Sequence, residues 1–228
     1  MIITTAENQK IIQICEYLHP KFTHHIAKEA VEIIFEIGSR DGMDALALRD
    51  YYNAKVYAVE CNPEGLAMMR KNLGSLSDIE IIAAAAWDKN EIIPFYPVTA
   101  TTMFGKGINK NIGASSCFKA RLDYIQKYTQ CEIEVEAMRL EDYCKRKKIE
   151  RIDMICMDVQ GAALHVLKGL GNILHQTNYL IVELERKKIY YGQDMFGEVC
   201  DYLQEYNFKI FVERFRDPWF SDFLFIKK

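Results

Sequence analysis

The sequence predicts an α/β fold: a doubly wound, mostly parallel seven-stranded sheet with N-terminal helices and a C-terminal antiparallel hairpin. Three observations lead there. Short apolar runs alternate with helical patterns from residue 31 to residue 206, the first run ends among glycines, and the stretch 208–228 holds two alternating runs split by a turn.

Taken in order, residues 6–31 carry apolar positions at helical spacing interrupted at Pro20, which predicts two helices flanking or covering the sheet. The runs at 31–37, 55–60, 79–87, 152–159 and 179–185 are the expected parallel strands. Helical patterns at 43–52, 63–73, 162–170 and 195–206 supply the crossovers. Residues 90–148 depart from this rhythm, mixing short β-like runs with a stretch at 99–117 rich in Gly, Ser, Thr and Asn. A loop of that length in a compact domain is usually functional or disordered, so this one is expected to be a mobile lid. The chain closes on a hairpin turning at Asp217–Pro218. Its 228 residues suit one domain, with 1–31 as a helical flank and 32–228 as the core.

Half of the residues are hydrophobic, 27% are charged and the net charge is -3, the balance of a soluble globular protein with no feature favouring nucleic acid. The basic cluster Lys145–Lys148 falls where a helix should end, and cations suit that end of the helix dipole. Seven cysteines are scattered without a CxxC pair, which fits a reducing compartment and a cytoplasmic location. No targeting segment opens the chain, and no run approaches the roughly 18 apolar residues of a membrane span.

In a doubly wound sheet the ligand lies beyond the carboxyl ends of the strands, and "EIGSRDG", residues 36–42, falls there. Gly38 allows a sharp turn and Gly42 allows the helix to start near a ligand, because neither carries a Cβ. Glu60 ends the second run 18 residues after Gly42, near the spacing at which an acid accepts bonds from ribose hydroxyls. The pattern lacks the G-x-G-x-x-G that seats a pyrophosphate, which argues against NAD and FAD. An adenosine cofactor without phosphates, such as S-adenosylmethionine, needs no such cradle.

"FEIGSRDG", "VYAVECNPEGL", "AAAAWDKN", "GASS", "VEAMRLEDYC", "IDMICMDVQGAALHVLKGLGNIL" and "YLIVELE" together resemble the FkbM-type methyltransferases over roughly residues 33–226. The resemblance implies a class I methyltransferase fold, S-adenosylmethionine as methyl donor, and O-methylation of a hydroxyl on a sugar or natural product. Two positions depart from the family pattern. Met157 stands where a Lys is frequent, and Ala163 where a second acid is frequent.

Methyl transfer to a hydroxyl is an in-line displacement that needs alignment and a group to attract the hydroxyl proton. Asp158, ending the fourth parallel run, and Glu183, near the end of the next, are the expected catalytic pair, acting as a base or as ligands of Mg or Mn. Glu185 is a weaker candidate. The expected cofactor contacts are Glu36, Gly38, Ser39, Asp41 and Gly42 in the first turn, Glu60 and Cys61 after the second strand, and Ala86 and Asp88 after the third. Ser116 of the "GASS" stretch, beside Ser115, and Asp158 complete the set. His24, His25, His165 and Lys168 read as surface residues. The expected acceptor is a sugar or glycan; a lipid, a secondary metabolite, or a catalytically silent nucleoside-binding role are the alternatives. A homodimer is compatible with the sequence.

Overall fold

The computed structural model describes residues 15–74 and 76–228. Its strands in chain order are β1 (Ile33–Ile37), β2 (Lys55–Glu60), β3 (Ile79–Ala83), β4 (Ala85–Ala86), β5 (Glu91–Phe95), β6 (Val98–Met103), β7 (Lys106–Ile108), β8 (Gln126–Gln130), β9 (Ile133–Met138), β10 (Ile152–Met157), β11 (Thr177–Glu185), β12 (Phe208–Phe215) and β13 (Phe220–Lys227). The longer helices are α1 (Met43–Tyr52), α2 (Pro63–Leu73), α3 (Leu140–Lys147), α4 (Ala163–Leu170) and α5 (Phe196–Glu205).

Seven strands form the main sheet in the order β12-β13-β11-β10-β1-β2-β3. β1, β2, β3, β10 and β11 are parallel, and β13 is antiparallel to both β11 and β12, as the terminal hairpin predicted. The chain starts in the middle of the sheet and winds outward in both directions, so the crevice opens where β1 and β10 diverge into their helices.

Alternation along each strand fills two layers. Phe35, Ile37, Val59, Ile155 and Met157 pack under α3, α4 and α5. Ile34, Val56, Ala58, Met154 and Cys156 pack under α1 and α2. All six residues of β10 are buried, which is why its sequence reads as an almost unbroken apolar run. Asn62 caps α2 by accepting the Glu64 N–H at 3.1 Å, with Pro63 at the first helical position. No helix among the described residues is long and apolar enough to cross a membrane.

Three expectations change. Of the two N-terminal helices, residues 6–14 lie outside the described residues; beyond them come a 3-10 turn at Glu16–Leu18, one helix at Pro20–Thr23 and another 3-10 turn at Lys28–Ala30. Pro20 opens its helix, since a missing N–H costs nothing at a first helical position. The run 79–87 is not one strand. The Ala84 N–H bonds the Ile82 carbonyl at 3.1 Å, and this tight turn sends β4 into a second sheet, order β4-β9-β5. The stretch 99–117 is not a structureless loop: β6 and β7 form a hairpin, and β8 joins them as a third sheet. Its two-residue turn puts Phe104 at φ 51° and Gly105 at φ 75°, the left-handed pair that matches hairpin twist.

Candidate active site

The turn from β1 into α1 is tied to both neighbouring strands. Gly38 and Ser39 donate to the Val59 carbonyl at 2.9 and 3.0 Å, and the Asp158 N–H reaches the Ile37 carbonyl at 3.1 Å. Gly38 has φ +87°, and a Cβ there would sit 1.9 Å from the Asp158 carbonyl oxygen, so only glycine lets these strand ends approach. Gly42, at φ +79°, answers a further need: a Cβ there would lie 2.8 Å from the Leu73 side chain of α2.

A cavity opens above this turn, with about 850 Å³ of atom-free space counting its open mouth. Its floor is Ile37, Gly38, Ser39 and Arg40; Val59, Glu60, Cys61 and Asn62 form one wall, and Ala84, Ala85 and Ala86 continue it. Ile112, Gly113, Ser115, Ser116 and Cys117 lie across it, with Asp158, Val159 and Ala162 on the far side. Ser115 holds that cover down: its Oγ accepts from the Val98 N–H at 3.0 Å and donates to the Ile112 carbonyl at 2.7 Å. Of the expected cofactor contacts, Gly38, Ser39, Glu60, Cys61, Ala86, Ser116 and Asp158 line the cavity, whereas Glu36, Asp41, Gly42 and Asp88 do not.

Glu60 is the wall's fixed charge. One oxygen accepts the Arg40 N–H at 2.7 Å and the other accepts the Cys61 and Asn62 N–H groups at 2.8 and 2.6 Å. These bonds use three of a carboxylate's roughly four acceptor sites, so the residue also clamps the β1 turn to the end of β2. Burial raises its pKa even so, the amides pulling the other way. Glu36 lies fully buried beneath the turn, where its carboxylate meets the Ser39 hydroxyl, and burial followed by repulsion from Asp44 pushes it well up. Asp41 pairs with Arg40 at 3.6 Å and caps the Met43 N–H at 3.3 Å. Asp88 faces His165 at 3.4 Å, on the outer side of Trp87, whose indole stacks on that imidazole at 3.9 Å.

Carboxylates gather at the ends of β10 and β11. Burial pushes Asp158 up to about 6, opposed by the Gln160 amide and aided by Asp222. Glu183, half-buried and outside the cavity lining, is pushed well up by burial and then by Asp158. Glu185, 3% exposed, is pushed up to about 8 by burial and then by Asp158. Between the first two lies the Gln160 side chain, its Nε2 donating to Asp158 Oδ1 at 2.5 Å and to Glu183 Oε1 at 3.1 Å. A cation cannot share the space of that NH2 group. Among the described residues no group of three or more His, Cys, Asp or Glu is arranged to hold a metal, and Asp158 with Glu183 does not fit the expected Mg or Mn site. Two carboxylates this close are reconciled instead by an amide donor and a raised pKa.

His24 and His25 are exposed, and His25 packs on Phe211 at 4.7 Å, far along the sheet's edge strand. Lys168 is exposed and His165 half-buried against Trp87. Several site residues had no sequence signal of their own. Arg40, Asn62 and Gly65 line the cavity because they flank residues that did carry one, and Tyr17 arrives from the N-terminal turn. Gly65 has a legible reason only in three dimensions: a Cβ would lie 2.6 Å from the Arg40 carbonyl and 3.3 Å from the Glu60 carboxyl carbon.

The chain is 31% identical over 181 residues to the 2-O-methyltransferase NoeI of Sinorhizobium fredii (strain NBRC 101917 / NGR234), covering 76% of this chain and 72% of that protein. Among solved structures, the methyltransferase FkbM from Methylobacillus flagellatus KT superposes with a TM-score of 0.58 at 13% identity, covering 97% of this chain. This chain spans about half of that longer one, 51%. Aeropyrum pernix fibrillarin, solved with natively bound S-adenosyl-L-methionine, superposes with a TM-score of 0.50 at 13% identity over 87% of this chain and 68% of its own. At such identities the last two comparisons speak for the fold alone. Residues 36–210, most of the cavity wall included, match the methyltransferase FkbM domain, and with the NoeI similarity this makes the chain a member of the FkbM family, an S-adenosylmethionine-dependent methyltransferase.

Proposed function

We propose that the chain methylates a hydroxyl of a sugar or glycan, with Asp158 taking the hydroxyl proton. The carrying observation is the position of Asp158: it lines the cofactor cavity at the end of β10, with a carboxyl pushed up to about 6 and therefore basic enough to accept a proton near neutrality. S-adenosylmethionine supplies an activated methyl group on a sulfonium. As the acceptor oxygen bonds the methyl carbon, the carbon–sulfur bond breaks, its electron pair stays on sulfur, and the hydroxyl proton passes to the Asp158 carboxylate.

The other residues position the reactants. Gly38 and Ser39 give the backbone floor, Glu60 offers its remaining acceptor site to a ribose hydroxyl, and Ala84, Ala85 and Ala86 leave a flat apolar slot for a base. Ser115 and Ser116 hold the cover that excludes water. The hydroxyl acceptor is favoured by the similarity to a 2-O-methyltransferase, and the sugar by the family resemblance.

The test is methyl transfer from labelled S-adenosylmethionine to a panel of methyl glycosides and to a parallel panel of lipid and phenolic hydroxyls. Asp158→Asn should keep S-adenosylhomocysteine affinity and lose about a hundredfold or more in turnover. A chelator should leave the wild type unchanged. Turnover confined to the second panel would replace the sugar, and near-normal turnover of Asp158→Asn would remove the base.

A further inference from the structure

Gln160 is the residue around which the acidic end of the site is built. It sits two positions beyond Asp158 with φ +51°, a left-handed conformation that a non-glycine residue adopts only when its surroundings hold it there. Two groups from distant parts of the chain do so. The Ser116 hydroxyl donates to the Gln160 carbonyl at 2.7 Å, and the fully buried Tyr190 hydroxyl donates to Gln160 Oε1 at 2.7 Å while lying 3.0 Å from the Ala114 carbonyl. Gly161 follows at φ +93°, where a Cβ would fall 2.7 Å from Gln193 Cβ, so the backbone is pinned on that side as well.

The two carboxylates decide which way the amide points, since the Tyr190 hydroxyl, with the Ala114 carbonyl also within 3.0 Å, could pair with either end of it. With Oε1 receiving the phenol proton, Nε2 faces Asp158 Oδ1 and Glu183 Oε1, at 2.5 and 3.1 Å. The reversed amide would set its oxygen against two carboxylate oxygens. Charge favours the first arrangement.

We propose that Gln160 is a positioning residue for methyl transfer: held by Tyr190, it locks the Asp158 carboxylate in the plane that meets the acceptor hydroxyl and holds Glu183 beside it. This rests on the reading of Asp158 as the proton acceptor. With Oδ1 engaged, the Asp158 carboxylate cannot rotate freely, and general-base transfer depends on that alignment. Tyr190 acts one step further back. Its ring is fully buried beside Tyr124 and Ile189, so it transmits the rigidity of that cluster into the site. The same contacts join the cover, through Ala114 and Ser116, to the catalytic carboxylate.

The test compares Gln160→Met, Tyr190→Phe, the double variant and Asp158→Asn in the full chain. Binding of S-adenosylhomocysteine is read by calorimetry and turnover on the methyl glycoside panel. Gln160→Met should keep cofactor affinity and acceptor KM and lose about tenfold to a hundredfold in kcat. Tyr190→Phe should lose less, and the double variant should be no worse than Gln160→Met alone, because Tyr190 works through Gln160. Additive losses, or unchanged kcat in Gln160→Met while Asp158→Asn is inactive, would overturn the positioning role and leave the proton acceptor standing. Near-normal turnover of Asp158→Asn would instead overturn the reading beneath it. A measurement independent of the acceptor follows the Gln160 side-chain NH2 by nuclear magnetic resonance on 15N-labelled protein. Slow exchange in the wild type that becomes fast in Tyr190→Phe supports the relay, and fast exchange in the wild type overturns it.

Discussion

Gly38 illustrates how much one absent atom determines. Its Cβ would overlap the Asp158 carbonyl at 1.9 Å, and both partners are backbone, so neither can yield without moving a strand. Gly38→Ala should therefore cost about 1–3 kcal/mol or more, from overpacking added to left-handed strain, measured by urea unfolding. A variant as stable as the wild type would show that the strand ends can separate. Glu60 carries the next prediction. Glu60→Ala leaves three backbone N–H groups without their acceptor and removes the acid expected at the ribose. S-adenosylhomocysteine binding should weaken by about 1.5–3 kcal/mol, the range for a hydrogen bond to a charged group. Unchanged affinity in a folded variant would confine Glu60 to the structural clamp.

Among elements, the segment after the β6–β7 hairpin lines the cavity through Ile112, Gly113, Ser115, Ser116 and Cys117, and helix α4 packs against the end of β4. Ser115 joins the cover to Val98 and Ile112, and Asn62 Nδ2 reaches Ser115 Oγ at 3.4 Å, so the cover is seated by a few polar contacts and little buried apolar surface. Such segments open locally at low cost. Hydrogen exchange at residues 98–117 should slow when S-adenosylhomocysteine binds, and identical rates with and without it would argue that the cover does not move. Helix α4 is set more firmly. A Cβ on Gly169 would lie 1.9 Å from the Trp87 carbonyl, so Gly169→Ala should push α4 off the β4 end and lower stability by about 1–3 kcal/mol in the same unfolding assay.

Across the whole molecule, the buried acids tie stability to pH. Asp158 titrates at about 6 and Glu185 at about 8 in the fold, both above the ordinary carboxyl range of about 4. The folded chain then holds protons that the unfolded chain has already released, and stability falls as pH rises through this window. Glu80 and Glu141 are lowered against burial by their Lys partners and act oppositely, but their stabilisation is already fully present above the ordinary carboxyl value and changes only below it, outside this window. The ligand-free melting temperature should therefore decline from about pH 5 to pH 8, and Glu185→Gln should flatten the decline. A melting temperature that rises over this range would contradict the buried-acid account.

The amino-acid sequence by itself determined the order of the central strands and helices, because period-2 and period-3.6 burial are local properties: 43–52, 63–73 and 55–60 appear as α1, α2 and β2 with the same bounds. It also marked Gly38, Glu60 and Asp158, which stand at strand ends, where the fold class puts its ligand. Only tertiary structure decided the rest. The hairpin at Phe104–Gly105 escaped because a phenylalanine in a left-handed turn carries no local signature, and β4 left the main sheet because its partner β9 lies some fifty residues further on. Gly42 makes room for Leu73, a role visible only once α2 packs on α1. The Gln160 bridge needs Ser116, Glu183 and Tyr190 from three separate stretches of chain. Hydrogen bonds between residues so far apart in sequence leave no periodicity to read, and the amide that folding places between the paired acids has no sequence signal of its own.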